Sequence, residues 1–425
     1  MPHTVPAPTD PSISPDPFAA LDLHPTLRRA IKELGFERPT PIQSQAIPPA
    51  LDGRDLLATA MTGSGKTAGF LLPILQRLGE RPRGGTRALV LTPTRELAAQ
   101  ILADLKNLAK YTPISGAAVF GGVGMGPQTQ AFRRGVDVLI GTPGRLLDHF
   151  KAPYGKLPSL EYLVLDEADR MLDMGFLPDI RRILRHVPAK RQTLFFSATM
   201  PPPIATLARE ILHDPVTIDV GRPTTPATGV TQMVYAVPQQ KKGALLVALL
   251  AENVMQDALV FTRTKHRADR LAKYLAQHNI RTDRIHGNRS QAQRTEALAG
   301  FKSGKYRVLV ATDIAARGID IAQLGHVVNF DTPAAAEDYV HRVGRTARAE
   351  ATGTAFTFVA PEEEGNLRTV ERAIGRRLER ATVPTLSDDP STAHAPEVRR
   401  HQPRHQTRRP SGPPSRFGRV RAFQS

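Results

Sequence analysis

Cysteine and tryptophan are both absent from the 425 residues. The first absence removes disulfides, thiolate nucleophiles and cysteine-based zinc sites at once, and it fits a reducing, cytoplasmic setting. The second, together with an aromatic content of only 5%, argues against base stacking as the main way of holding a nucleic acid. No apolar run approaches a membrane span, so no membrane contact is expected. Met1-Pro2-His3-Thr4-Val5-Pro6-Ala7-Pro8 has neither the basic nor the apolar region of a signal peptide. Acid is also short, with 40 Asp and Glu against 57 Lys and Arg, a formal charge of +17. A polyanion is therefore the first expected partner. None of the 13 histidines falls in a zinc spacing with acidic partners.

What is present centres on Asp55-Leu56-Leu57-Ala58-Thr59-Ala60-Met61-Thr62-Gly63-Ser64-Gly65-Lys66-Thr67. A short apolar run turns through two glycines into Ala68-Gly69-Phe70-Leu71-Leu72, which resumes at helical spacing. Strand, tight loop and helix in that order make a phosphate-binding loop. The N–H groups of Thr62, Gly63, Ser64 and Gly65 would line a cradle, and the helix would add its unpaired N-terminal donors. Gly63 and Gly65 let backbone approach phosphate, Lys66 supplies a point charge for β and γ oxygens, and the Thr67 hydroxyl can ligate Mg²⁺. The first glycine of the usual pattern is Ala60 here.

The totals allow two or three domains. Residues 1–17 are rich in Pro, Ser and Asp and read as a disordered leader. From 18 to 219, β-rich runs at 55–60, 88–92, 117–121, 136–140, 162–165 and 192–197 alternate with helical stretches. Such alternation predicts a mainly parallel sheet covered on both faces. Residues 220–229 are rich in Pro, Gly and Thr without periodicity, an expected linker. A second α/β unit over 230–380 has runs at 231–237, 258–262, 282–286, 306–311, 326–330 and 353–359 and a closing helix at 366–380, with no phosphate loop of its own. Residues 381–425 read as a disordered basic tail: no acid follows Glu397, while Arg399, Arg400, Arg404, Arg408, Arg409, Arg416, Arg419 and Arg421 do.

Tyr162-Leu163-Val164-Leu165-Asp166-Glu167-Ala168-Asp169 puts carboxylates just past a buried strand. Strand C-termini form the ligand edge of open α/β sheets, so these acids should face the same crevice as the phosphate loop. Asp166 is placed to hold Mg²⁺, and Glu167 to orient and deprotonate an attacking water.

Asp-Glu-Ala-Asp at 166–169 resembles the signature of the DEAD-box ATP-dependent RNA helicases, and the likeness runs from Phe18 to about Val359. Within that family the chain looks most like the bacterial RhlE-like branch, on the run Val260-Phe261-Thr262-Arg263-Thr264-Lys265-His266 and the basic tail. Membership implies two tandem RecA-like domains, with ATP and Mg²⁺ as cofactors. Gly35-Phe36-Glu37-Arg38-Pro39-Thr40-Pro41-Ile42-Gln43 is similar to the family's Q motif, with Phe18 as its upstream aromatic. By that likeness Gln43 reads adenine, whose paired N6 and N7 suit a planar amide, and Phe36 packs near the base.

The resemblance also implies an RNA edge in the first unit: Thr94 and Arg95, Gly121-Gly122, and Thr142-Pro143-Gly144-Arg145. Each follows a strand, and hydroxyls, guanidinium groups and bare glycine backbone suit a sugar-phosphate strand held without base readout. Arg263, Arg294 and Thr312 are the RNA-side residues it implies in the second unit, while Gly318 and Asp320 would meet the nucleotide. Ser197 and Thr199 should hydrogen-bond near Asp169. In Tyr339-Val340-His341-Arg342-Val343-Gly344-Arg345-Thr346-Ala347-Arg348, Arg345 and Arg348 would be arginine fingers, and His341 and Arg342 would meet the acidic loop.

The expected function is RNA-stimulated ATP hydrolysis that clamps single strands and opens short duplexes or remodels RNA–protein complexes, with little sequence preference. Ribosome-assembly or RNA-decay machinery is an expected setting. An ATP-gated RNA clamp with little strand separation, and an annealing chaperone working through the tail, are the alternatives.

Overall fold

The computed structural model describes residues 17–61, 63–80, 85–220, 230–316, 324–346 and 353–384. The expected leader, nearly all of the linker and the arginine-rich tail lie outside the described residues. Two sheets organise the rest. The first contains β1 (Leu56–Thr59), β2 (Ala88–Leu91), β3 (Gly116–Val119), β4 (Val138–Gly141), β5 (Tyr162–Leu165), β6 (Gln192–Ser197) and β7 (Val216–Asp219), in the order β3-β4-β2-β5-β6-β1-β7. The second contains β8 (Val230–Ala236), β9 (Ala258–Thr262), β10 (Thr282–Ile285), β11 (Val308–Thr312), β12 (His326–Asn329), β13 (Gly353–Val359) and β14 (Glu379–Arg380), in the order β10-β11-β9-β12-β13-β8-β14. Every pairing is parallel. Counted from its own first strand, each sheet has the order 3-4-2-5-6-1-7, so the second lobe repeats the wiring of the first.

The central strands are apolar at most positions because both faces are covered. Ala88 and Val90 enter one core with Val164 and Phe196, while Leu89 and Leu91 enter the opposite core with Leu163 and Phe195. Successive side chains thus alternate between two helix layers. The second sheet does the same, with Val260 and Val310 on one side and Leu259 and Leu309 on the other.

Three features differ from expectation. Strands β7 and β14 lie beside the first strand of their sheets and carry exposed polar residues, so no apolar run marks them. The last helix spans Glu364–Ile374 and not 366–380, because Gly375 ends it in the left-handed conformation at φ 70°. Ala381 and Val383, expected to open the tail, pack against the second lobe's core. Among the described residues no helix is long and apolar enough to cross a membrane.

Parallel wiring brings every strand's C-terminus to one edge. Thr59 pairs with Ser197, and Leu165 with Phe195, so the loops after β1, β5 and β6 are neighbours. The phosphate loop, Asp166–Asp169 and Ser197–Thr199 therefore share one crevice mouth.

Candidate active site

After β1 the chain turns at Gly63 and Gly65, both left-handed at φ 85° and 93°. Gly65 is required twice over: a Cβ there would lie 2.6 Å from Gln43 Nε2 and 2.8 Å from Thr40 Oγ1. Lys66 opens the helix Lys66–Gly79, is buried, and donates from Nζ to the Ala60 carbonyl at 2.9 Å. The cation is thus folded over its own loop. Thr67 is half-buried one residue on. Gln43 stands on the helix Pro41–Leu51; its Oε1 accepts from the Thr40 N–H at 3.0 Å and its Nε2 donates to the Gly65 carbonyl at 3.1 Å. The two expected aromatics part company. Phe36 is 39% exposed, whereas Phe18 is 2% exposed and joins Leu21, Leu23, Leu27 and Ile31 in the core. Its ring is spent on packing in the core.

Asp166 and Glu167 are both buried past β5. Burial first, then the charge of Glu167, pushes the Asp166 carboxyl up to about 6, against Lys66 and Arg170. Asp166 Oδ1 has no hydrogen-bond partner. For Glu167 burial also works upward, but the charges of Arg170, Lys66 and Arg345 outweigh it and hold the carboxyl at about 2. Two like charges side by side are pulled apart in this way by unequal cation neighbours. Glu167 also has a left-handed backbone, φ 55° and ψ 52°, a strained setting for a non-glycine residue. Asp169 ties this loop to β6: its N–H donates to Ser197 Oγ at 3.2 Å, and its Oδ2 accepts from Thr199 N–H at 2.8 Å and Thr199 Oγ1 at 2.9 Å. Ser197 Oγ in turn donates to the Thr199 carbonyl at 2.7 Å.

The second lobe reaches the same mouth with Arg345, whose charge acts on Glu167. Arg342 does not meet the acidic loop. Its Nε and Nη2 fork onto Asp313 at 2.6 and 2.7 Å, and its Nη1 donates to Asn329 Oδ1 at 3.1 Å and to the Asp331 carbonyl at 2.7 Å. With every arm committed inside its own lobe, it anchors the helix Ala336–Val343 to the sheet, which corrects the expectation for that residue. His341 lines the small recess formed by Phe261, Asp313, Asp338, Arg342 and Arg345. Thr62, Gly318, Asp320 and Arg348 lie outside the described residues.

On the same edge, Thr94 caps the helix Arg95–Leu108 by accepting from the Leu97 N–H at 3.2 Å. Gly122 is left-handed at φ 79°, and a Cβ there would stand 1.8 Å from Arg95 Nη1. The bare glycine is what admits that guanidinium. Arg95 is pushed below its ordinary pKa by burial, then by Arg294 and less by Arg145, a crowding of cations. Arg145 Nη1 donates to the Val123 carbonyl at 3.0 Å, and Thr142 is buried at the end of β4. Arg294 is not open to RNA alone: its Nη2 lies 3.0 Å from Glu96 Oε2, and Gln291 Nε2 donates to Glu96 Oε1 at 3.1 Å. These bonds cross from the second lobe to the first. Arg263 gives its N–H to Asp331 and one guanidinium arm to Glu363 at 2.9 Å, yet its side chain stays 53% exposed. Thr312 ends β11, half-buried.

Sequence reading passed over Glu96, Arg170, Asp313 and Asp331 as partners. The Arg170 signal was local, three residues from Glu167 on one helix. The others lie far along the chain from the residues they hold. Among the described residues no cluster of three or more His, Asp and Glu is grouped as a metal site.

Residues 40–207 match the DEAD/DEAH box helicase family and residues 241–350 the helicase conserved C-terminal domain. The chain is similar to the DEAD-box ATP-dependent RNA helicase CshA of Geobacillus kaustophilus, at 43% identity over 87% of this chain and 79% of that one. It is likewise similar to the ATP-dependent RNA helicase CshA of Listeria monocytogenes, at 42% identity over 87% of this chain and 71% of the relative. Among solved structures, S. cerevisiae Dbp5 bound to RNA and ADP BeF3 superposes with a TM-score of 0.79 at 29% identity, covering 86% of this chain and 95% of that one. Mss116p bound to ssRNA and AMP-PNP gives 0.77 at 26% identity, over 88% and 82%. Two lobes of the same wiring, a phosphate loop and Asp-Glu-Ala-Asp on one edge, and relatives of this likeness along most of the chain place it in the DEAD-box family of ATP-dependent RNA helicases.

Proposed function

We propose that ATP is held on the first lobe by the loop at 62–67, with Gln43 on its base, and is cleaved only when the second lobe brings Arg345 to Glu167. The observation that carries this reading is the contact across the cleft, where Glu96 accepts from Gln291 and lies against Arg294, with Arg345 of the second lobe near enough for its charge to act on the buried Glu167 of the first. In this reading Lys66 leaves the Ala60 carbonyl for the β and γ oxygens, and Glu167 orients the water and takes its proton. Arg345, with Arg348, meets the charge that develops on the γ-phosphate. Thr67 and Asp166 would hold Mg²⁺, and the orphaned, buried Asp166 Oδ1 suits a hard cation. A cation held there would supply charge neutralisation to the phosphate oxygens.

RNA lies along Thr94, Arg95, Gly122, Thr142 and Arg145 of the first lobe and Arg263 and Thr312 of the second, gripped by its backbone and not by base edges. Single strands and short duplexes are the substrates, bent as the cleft shuts and released as it reopens after hydrolysis. Work in the cytoplasm on ribosome-assembly or RNA-decay assemblies is the wider setting this reading favours.

Arg345→Ala tests the core of it. An arginine finger is worth about 10³ to 10⁵ in rate, so RNA-stimulated turnover should vanish while ATP affinity holds. Turnover above half that of the parent would overturn the reading.

A further inference from the structure

Three cations surround Glu167, and one of them has no part in the reading above. Lys66 and Arg345 are both called to the phosphates when ATP is bound. Arg170 remains. It lies on the short helix Ala168–Asp173, of which Glu167 is the N-cap, so one turn of helix carries its guanidinium back over that residue. Arg170 Nη1 donates to Glu167 Oε2 at 2.6 Å, with the two side chains 2% and 4% exposed. Its backbone N–H donates to Asp169 Oδ1 at 3.1 Å, so the same residue touches both acids that flank Ala168. Arg170 Nη2 is buried without a hydrogen-bond partner. A cation kept only for packing would be expected to have its donors matched. Here one arm is committed to Glu167 at the cost of leaving another unmet.

We propose that Arg170 is a positioning residue for Glu167. It pins one carboxylate oxygen, so that the strained N-cap presents the other to water in a single orientation while Lys66 and Arg345 attend to ATP. In the step it serves, the water oxygen bonds to the γ-phosphorus as the bond to the β–γ bridging oxygen breaks. ADP leaves with that electron pair, and the water proton passes to the second oxygen of Glu167. Removing the pin loosens the acceptor without touching the nucleotide grip. The inference rests on Glu167 as the acceptor, so both residues are varied together.

The test uses the full chain with ATP and single-stranded oligouridine, for Arg170→Met, Arg170→Lys, Glu167→Gln and the Met/Gln double variant, each with a melting curve. Loss of a residue that orients a reacting group costs about 10- to 100-fold. Arg170→Met should lower kcat by about that much while leaving KM for ATP, and RNA affinity with a non-hydrolysable ATP analogue, close to the parent's. Arg170→Lys, which keeps the charge but not the planar fork, should fall between parent and Arg170→Met in kcat, measurably below the parent, at an unchanged KM. On the Glu167→Gln background, Arg170→Met should cost nothing further. Parental kcat in a folded Arg170→Met beside a dead Glu167→Gln would sink the positioning role alone, and so would full additivity of the two changes. Should Glu167→Gln keep full turnover, the acceptor assignment falls and this inference with it. If Arg170→Met does not fold, Arg170→Lys decides: kcat lowered at constant KM supports the pin, whereas both constants unchanged, or both altered, overturn it.

Discussion

A single missing methyl group governs the edge along which RNA is proposed to lie. Gly122 has φ 79°, and any Cβ there would stand 1.8 Å from the Arg95 guanidinium. Gly122→Ala should therefore push Arg95 off the edge and add about 1–2 kcal/mol of backbone strain. RNA affinity should fall severalfold with ATP affinity unchanged, measured by RNA binding with and without nucleotide; unaltered RNA binding would show that Arg95 tolerates the move. The residues proposed for the nucleotide mouth stand out one by one in the sequence, because their geometry is local. Gly63 to Thr67 turn a strand into a helix, and Asp166 and Glu167 follow a strand directly. What stayed hidden was the partner of each charge. Arg342 reads as a basic residue on a helix face, and nothing nearby announces that Asp313 and Asn329 will take it up. Phe18 is ambiguous for the opposite reason: an aromatic can serve a base or a core, and only the fold decides between them.

Among the elements, the most telling comparison is between the helices that follow β1 and β8. Lys66 opens the first of them and Lys242 the second. In the second lobe, however, no glycine turn separates strand from helix. The Lys242 ammonium is fully buried; it donates to the Phe330 carbonyl at 2.8 Å and is bonded to the Glu363 carboxylate. The lysine of the second lobe is thus met by a carboxylate of the chain itself. Burial pulls the Lys242 pKa below its ordinary value, with Glu363 working the other way. Breaking such a pair by removing one partner costs about 3–5 kcal/mol. Lys242→Met should destabilise the chain by that order, and Lys242→Met with Glu363→Leu should recover much of it, read by denaturant unfolding. A silent single variant would mean that the pair carries little. Twelve of the strands announced themselves as β-rich runs close to where they lie, and the two seventh strands did not, since exposed Thr217 and Asp219, or Glu379 and Arg380, carry no apolar mark.

For the whole molecule, closure is written in bonds that no local pattern foretells. Gln291 and Glu96 are separated by 195 positions along the chain, yet they meet at 3.1 Å. Truncating one side of a buried charge contact across an interface costs about 2–5 kcal/mol, and Glu96→Ala strips Gln291 of its acceptor and Arg294 of its counter-ion. The RNA concentration for half-maximal turnover should rise by about tenfold or more, while ATP binding without RNA stays as it was. Titrations of ATPase rate against oligouridine check this, and an unmoved midpoint would show that the lobes close by other contacts. The repeated strand order has a further consequence. Because the lysine that opens the second lobe's first helix is already held by the chain's own acid, whereas Lys66 of the first lobe is held only by a loop carbonyl, the two copies of the wiring are not interchangeable, and the halves cannot exchange roles.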